Sequence, residues 1–309
     1  MMQRFFEMLD SWQESVKMES VTLLFTKALY AFLLLNYVRL LPIADQIWSN
    51  DSFIILSKGV HGFDRLAFLL NEPFYREHYL WILLATMSFL LMGIVGLQNV
   101  FTRTFVFLLF VNLHNANYEV SNGGYNLIQL LLFFHIFWFR MSDRAENRTV
   151  SFMRLLHNLS FYGVWLQISL LYLSAGLFKL DGEHWLTGDA IAHVLAIEEY
   201  SLPWIIPVAE TNPWWMMLAS WTTLVYQILF AIVIWIRPIR PYWLLLGTCI
   251  HLGIAFIVGI TDFGIVMVLS YLIFMNPEMI RKWQPWFAIG NVKPSFKWKE
   301  MLLKKSQSG

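Results

Sequence analysis

Three groups of polar residues interrupt an otherwise apolar chain, and each has residue types and spacing suited to chemistry. The first runs from Ser174 to Gly188, where an apolar stretch with small residues meets Lys179, Asp181, His184 and Trp185. A lysine serves as a general base once burial brings its pKa towards neutrality. The other reading of Lys179 is a side chain that snorkels from a helix end to the headgroups, with Asp181 as its exposed partner. The second group is His251, between two apolar runs and followed by Thr261-Asp262-Phe263-Gly264. Such a histidine can shuttle protons, bind a metal or hold a ligand carbonyl; it can equally bond a neighbouring backbone carbonyl and do nothing more. The third group holds Asn112, His114, Asn115 and Asn117, then Asn122-Gly123-Gly124-Tyr125-Asn126. Its Gly pair permits close backbone approach, or the whole is an inter-helix turn with Asn caps. His135, Gln129, Asn36 and Arg39 read as interhelical hydrogen bonds rather than chemistry. Zinc-helix, P-loop and dinucleotide motifs are absent, and no metal site is expected.

Such groups need a scaffold, and composition says which kind. Of 309 residues, 58% are hydrophobic and 14% charged, against roughly 45–50% and 25% in an ordinary soluble chain. The 15 Trp and 26 Phe suit a protein whose aromatic side chains meet acyl tails and membrane interfaces. The fold class expected is therefore an all-α, polytopic transmembrane bundle. A bilayer core of roughly 30 Å needs about 20 apolar residues per helix. Candidate spans fall near 21–41, 79–99, 104–118, 126–139, 159–178, 214–236, 242–258 and 263–275, about eight in all. The third, fourth and eighth are short, so their ends extend into polar sequence or the helices break where they line a cavity. The short apolar pieces at 53–56 and 66–70 read as interfacial or re-entrant.

Lys and Arg flank alternate connections, sixteen on one side against four on the other, which by the positive-inside rule makes both termini cytoplasmic. All three polar groups then fall at the outer side. Residues 1–20 read as an amphipathic cytoplasmic lead-in, 21–275 as the transmembrane domain, and 276–309 as a basic cytoplasmic tail suited to anionic lipid. The lone Cys249 excludes an intramolecular disulfide, and a net charge of +1 gives no sign of a nucleic-acid partner. The sequons at Asn147 and Asn158 fall on the cytoplasmic side, where they cannot be used.

The stretch Ala175-Gly176, Lys179-Leu180-Asp181, Trp185 and Gly188 resembles the transmembrane domain shared by vitamin K-dependent gamma-carboxylases and their microbial relatives, the horizontally transferred transmembrane (HTTM) domain. Asn122 to Asn126, and His251 through Phe263-Gly264 to Phe274-Met275-Asn276-Pro277, line up in the same order, so the similarity covers roughly residues 15 to 285. The resemblance implies a reduced quinone of the vitamin K or menaquinone type as cofactor and Lys179 as the base that deprotonates it. It further implies Asp181, His184, Trp185, His251, Asn122, Gly123, Gly124, Asn126 and His114 as the surrounding binding residues. Two departures stand out. The animal enzymes carry a His after the Asn where this chain has Gly123, leaving His114 or His184 to assist the lysine, and a counterpart of the large outer domain of the carboxylases is not expected here. The chain also looks like compact relatives of the sporulation-delaying toxin maturation type. Two functions follow as expectations: a quinol-dependent carboxylase, or a non-carboxylating protein for maturation, export or immunity of a secreted peptide. A bacterial inner membrane is the expected location.

Overall fold

Each of the eight apolar stretches contains a helix. A computed structural model describes residues 18–50, 52, 72–115, 122–139, 148–197, 201–202, 204–277 and 280. In chain order the helices are α1 (Glu19–Leu40), α2 (Ala44–Trp48), α3 (Glu72–Glu77), α4 (Tyr79–Ile94), α5 (Val100–Asn115), α6 (Gly123–His135) and α7 (Arg148–Leu180). They continue with α8 (Glu183–Thr187), α9 (Ala190–Leu195), α10 (Ile205–Thr211), α11 (Pro213–Val233), α12 (Arg240–Phe256) and α13 (Thr261–Ser270). There is no strand among the described residues, so the all-α expectation holds.

Three stretches are long and apolar enough to cross a membrane: Glu19–Trp48, Thr149–Leu180 and Pro213–Val233. They make the chain an integral membrane protein. Tyr79–Ile94, Val100–His114 and Thr261–Phe274 are apolar but shorter. Exposed Trp81, Phe101, Phe178, Trp214 and Leu245 lie on faces that suit acyl chains rather than water.

The window expected at 159–178 is corrected at its start, because α7 begins at Arg148 and runs for 33 residues. At 1.5 Å per residue that is about 50 Å, well beyond a bilayer core. Hydropathy missed the first three turns because Arg154, His157 and Asn158 are polar by type, yet the fold buries them almost completely. Asn158, fully buried in a helix, offers no glycan acceptor whatever its side of the membrane. The lead-in expected at 1–20 ends in helix, since Glu19 opens α1. The pieces at 53–56 and 66–70, and the tail beyond Ile280, lie outside the described residues.

Short helices in an apolar bundle leave terminal carbonyls that water cannot reach, and side chains of neighbouring helices take them. The end of α6 is served twice: the Arg103 guanidinium donates to the Trp138 carbonyl, and Ser160 Oγ donates to the Phe134 carbonyl at 2.6 Å. Beyond α13 a 3-10 turn covers Tyr271–Phe274, and Trp165 Nε1 donates to the Ile273 carbonyl at 3.2 Å. Arg240 Nε closes the end of α11 on the Ile234 carbonyl at 2.7 Å, with its guanidinium 4.6 Å from the Trp165 ring centroid. These contacts gather at one end of the bundle.

Helix approach is set by small residues. Gly176 lies against α11, where a Cβ would sit 2.7 Å from Ile228 Cγ1 and 3.0 Å from Ile228 N. Gly264 lets α13 press on α12 at Ala255, whose Cβ would be 2.7 Å from an added one.

Candidate functional site

The polar groups named from the sequence collect at the opposite end of the bundle, but in three separate arrangements. On α7, Tyr172, Gly176 and Lys179 follow at helical spacing and form one stripe towards α11. Lys179 ends that stripe. Its Nζ lies 4.9 Å from the centroid of the Trp185 ring, and among the described residues it makes no ion pair. Asp181, the partner expected for a snorkelling lysine, is exposed and does not pair with it. The chain turns at Gly182, whose N–H donates to the Lys179 carbonyl at 3.1 Å, and runs into α8. That helix stops at Gly188, whose φ of +90° is the left-handed conformation a side chain disfavours. Trp221 of α11 fixes the turn by donating from Nε1 to the Leu186 carbonyl at 3.1 Å, while Ser220 Oγ accepts from Ile191 N at 3.1 Å.

Below this turn lies a cavity of about 620 Å³ between α9, α10, α11, α12 and the start of α13. Its walls are apolar, with Ile191, Leu195, Ile205, Met216, Ile254 and Phe263 among them. Trp185 lines it too, so one indole both meets the Lys179 ammonium and walls the cavity. Cys249 stands on the wall as the chain's single thiol. A space of this size holds a ring system with part of its tail, or a few side chains of an apolar peptide.

His251 sits outside that cavity, 2% exposed, at the head of a buried row of phenols. Tyr172 Oη lies 2.7 Å from His251 Nε2 and 2.5 Å from Tyr271 Oη, which is 2.8 Å from Tyr226 Oη. The row can run in either direction, with Nε2 accepting from Tyr172 or donating to it according to the His251 tautomer. Nδ1 has no hydrogen-bond partner among the described residues.

The third arrangement joins three helix ends. Asp262, opening α13, accepts from Arg39 at 2.7 Å and from Tyr125 Oη at 3.1 Å. Asn36 of α1 donates to Tyr125 Oη at 2.8 Å and accepts from Arg39 at 2.7 Å. Asn122 caps α6 by accepting from Gly124 N at 2.8 Å. Gly124 is buried with Phe263 behind it, where a Cβ would come within 3.1 Å of the Phe263 backbone, while Gly123 and Asn126 are exposed. His114 stacks on Tyr125 with centroids 5.1 Å apart. It therefore lies with this network and not at Lys179.

His184 does not reach Lys179 either. Its Nδ1 is 3.2 Å from both Asp189 carboxylate oxygens, and its ring lies 3.9 Å from that of His193. Thr187 Oγ1 donates to the same carboxylate, and this bond, with His184 behind it, holds the Asp189 carboxyl below its usual range. Sequence reasoning missed Asp189 and His193. The signal was present, since Asp-x3-His puts both on one face of a helical turn, but scanning for established motifs passed over it. Arg39, Asn36 and Tyr125 were legible only as isolated polar residues, because Asp262, which joins them, is more than 130 residues away from Tyr125 in sequence.

Over residues 125–279 the chain matches the sequence pattern of the HTTM domain. It is also similar to the sporulation-delaying protein SdpB of Bacillus subtilis (strain 168), 27% identical over 119 residues. The match spans 36% of this chain and 36% of SdpB. No solved structure matches it.

Proposed function

Because the chain belongs to the HTTM-domain family, we propose that it is a membrane protein of peptide handling, which takes an apolar segment of a secreted peptide into the cavity beneath Lys179 during maturation, export or immunity. The observation that carries this reading is the setting of Lys179. Its ammonium rests on an indole that also walls the cavity, and no described imidazole or carboxylate reaches it. A base that must strip and pass on a proton works through such a partner. A cation seated on an indole that walls an apolar cavity instead suits recognition of a carbonyl or a terminal carboxylate. The similarity to SdpB supports the same reading. In it, the eight apolar helices cross the bilayer in alternation, with both termini cytoplasmic and the Lys179 end outside, on the positive-inside balance.

The match to the HTTM domain favours a second reading, in which Lys179 deprotonates a reduced quinone held in the same cavity. Cys249 allows the two to be separated. Labelled with bimane in lipid nanodiscs, it reports occupancy of the wall. A synthetic apolar peptide of signal-sequence type is expected to blue-shift the label and block its attachment, with the effect weakened by Lys179→Ala. Mass spectrometry of reduced menaquinone under oxygen provides the other arm. Quinone epoxide formed by the wild type and lost in Lys179→Ala would overturn the peptide reading in favour of the quinol one. No change in the label with peptide would remove the peptide reading on its own.

A further inference from the structure

We propose that His184, Asp189 and His193 form a binding site for one divalent first-row transition ion of the Zn²⁺ class, which clamps α8 to α9 over the cavity. One ligand atom from each of the three residues lies within 4.8 Å of the others. Two of the three separations need no adjustment: the Asp189 carboxylate is 3.2 Å from His184 Nδ1 and 3.5 Å from His193 Nδ1. A tetrahedral ion with bonds of 2.0–2.1 Å sets its ligands about 3.3 Å apart. The third separation, within 4.8 Å, closes by rotation of side chains that are 56%, 43% and 57% exposed, with His193 Nδ1 exchanging its 3.0 Å contact to the Asp189 carbonyl for the ion.

Chemistry and local structure agree with that geometry. Two imidazoles and one carboxylate, with water completing the shell, are a common donor set for zinc and iron(II). The two rings lie with centroids 3.9 Å apart at a tilt of 33°, and the Nδ1 atoms of both converge on one carboxylate. Thr187 orients the carboxylate through its hydroxyl, the outer-shell bond that metal-ligating carboxylates usually have. The set is produced by a short stretch of chain. The left-handed turn at Gly188 folds α8 back so that His184 meets Asp189, and the first turn of α9 brings His193 round at i+4. Coordination replaces the Nδ1–H contacts with metal bonds. Trp185, next to His184 on α8, is then held on the cavity wall and beneath Lys179. The proposal does not depend on what occupies the cavity.

The test uses the full chain in nanodiscs, without a polyhistidine tag, stripped with EDTA and titrated with Zn²⁺ or Co²⁺. Metal analysis is expected to give one ion per wild-type chain, and Co²⁺ the visible absorption of a four- or five-coordinate site. His184→Ala with His193→Ala should lose that ion, as should Asp189→Asn, while the double histidine variant melts like the wild type in EDTA because both imidazoles are exposed. Thr187→Val is expected to weaken binding by about 10–100-fold, the usual effect of losing an outer-shell partner. Zn²⁺ should raise the melting temperature of the wild type and not of the double variant. Wild-type protein that takes up no ion, or a double variant that keeps wild-type stoichiometry, overturns the proposal.

Discussion

Tyr172→Phe is the sharpest probe of how this bundle holds its polar interior. The change removes one hydroxyl from a site with no water access and leaves the ring, which stacks on Phe230 with centroids 4.1 Å apart. Two hydrogen bonds go, to His251 Nε2 and to Tyr271 Oη. Interhelical side-chain bonds in membrane proteins contribute on average about 0.6 kcal/mol each, so the pair accounts for about 1.2 kcal/mol. The consequence for His251 is larger. Its Nδ1 already lacks a partner among the described residues, and losing the Nε2 contact leaves a buried imidazole with no hydrogen bond among them. An orphaned buried polar group costs about 1–3 kcal/mol, which overlaps with the first figure rather than adding to it. We expect a loss of about 1–3 kcal/mol for Tyr172→Phe, read by detergent-induced unfolding in mixed micelles. Removing both partners should be less harmful than the two single changes predict. With His251→Leu in the same background, the double-mutant cycle should therefore return a coupling of about 1 kcal/mol. Additivity within about 0.3–0.5 kcal/mol, the scatter of independent sites, would refute the argument and free His251 to serve the cavity instead.

Three further outcomes follow from the same contacts. Gly176→Val should cost about 1–3 kcal/mol by forcing α7 off α11, whereas Gly253→Ala, with nothing within 4 Å of its added Cβ, should melt like the wild type; equal losses would mean that helix spacing is not set at Gly176. Arg39→Met and Asp262→Asn should show a coupling of about 0.2–1 kcal/mol that shrinks in high salt, because the Arg39 side chain is 58% exposed; a salt-independent value would contradict this. Asp189 has its carboxyl depressed in the folded state, so its contribution is present above the unfolded pKa and lost as pH falls through the lower folded value. Hydrogen exchange across 182–197 should thus stay slow to below about pH 4, and Thr187→Val should move the loss upward; an unmoved midpoint counts against the Thr187 bond.

How much of this was readable in the sequence depends on the scale of the signal. The eight helices were, because an apolar run declares itself within its own window. The start of α7 was not: Arg154, His157 and Asn158 are polar by type yet buried in the bundle, and no local pattern records that. The position of the Lys179 turn was also legible, since small residues and an abrupt change to Asp181 and Gly182 mark a helix end. Its contacts were not. His184 was expected to serve Lys179 because the two are close in sequence, whereas the left-handed turn at Gly188 directs it to Asp189 and His193. His114 was likewise drawn to Tyr125 by stacking across the α5–α6 connection. Both histidines were candidates because Gly123 stands where the animal enzymes carry a His, and neither contact could be read without the backbone reversals that direct the two rings elsewhere.

The contact between Lys179 and Trp185 bears on which chemistry this end of the bundle performs. An ammonium over an indole face is stabilised by about 0.5–1 kcal/mol where exposed and about 2 kcal/mol where desolvated, and only while it is charged. A base has to spend its resting state uncharged, so the indole works against that role. A charged anchor for a carbonyl or carboxylate loses nothing by it. The same indole walls the cavity, so filling the cavity and holding the cation are one structural event, and a ligand that shifts Trp185 alters the setting of Lys179 directly. The buried phenols at His251 and the Asp262 network are separate from this event, and each joins helices that the cavity needs in place. The division of labour is then physical: two polar networks tie helices to one another, and Lys179, which meets the Trp185 indole and no ion-pair partner among the described residues, is the group the proposed reading assigns to a ligand.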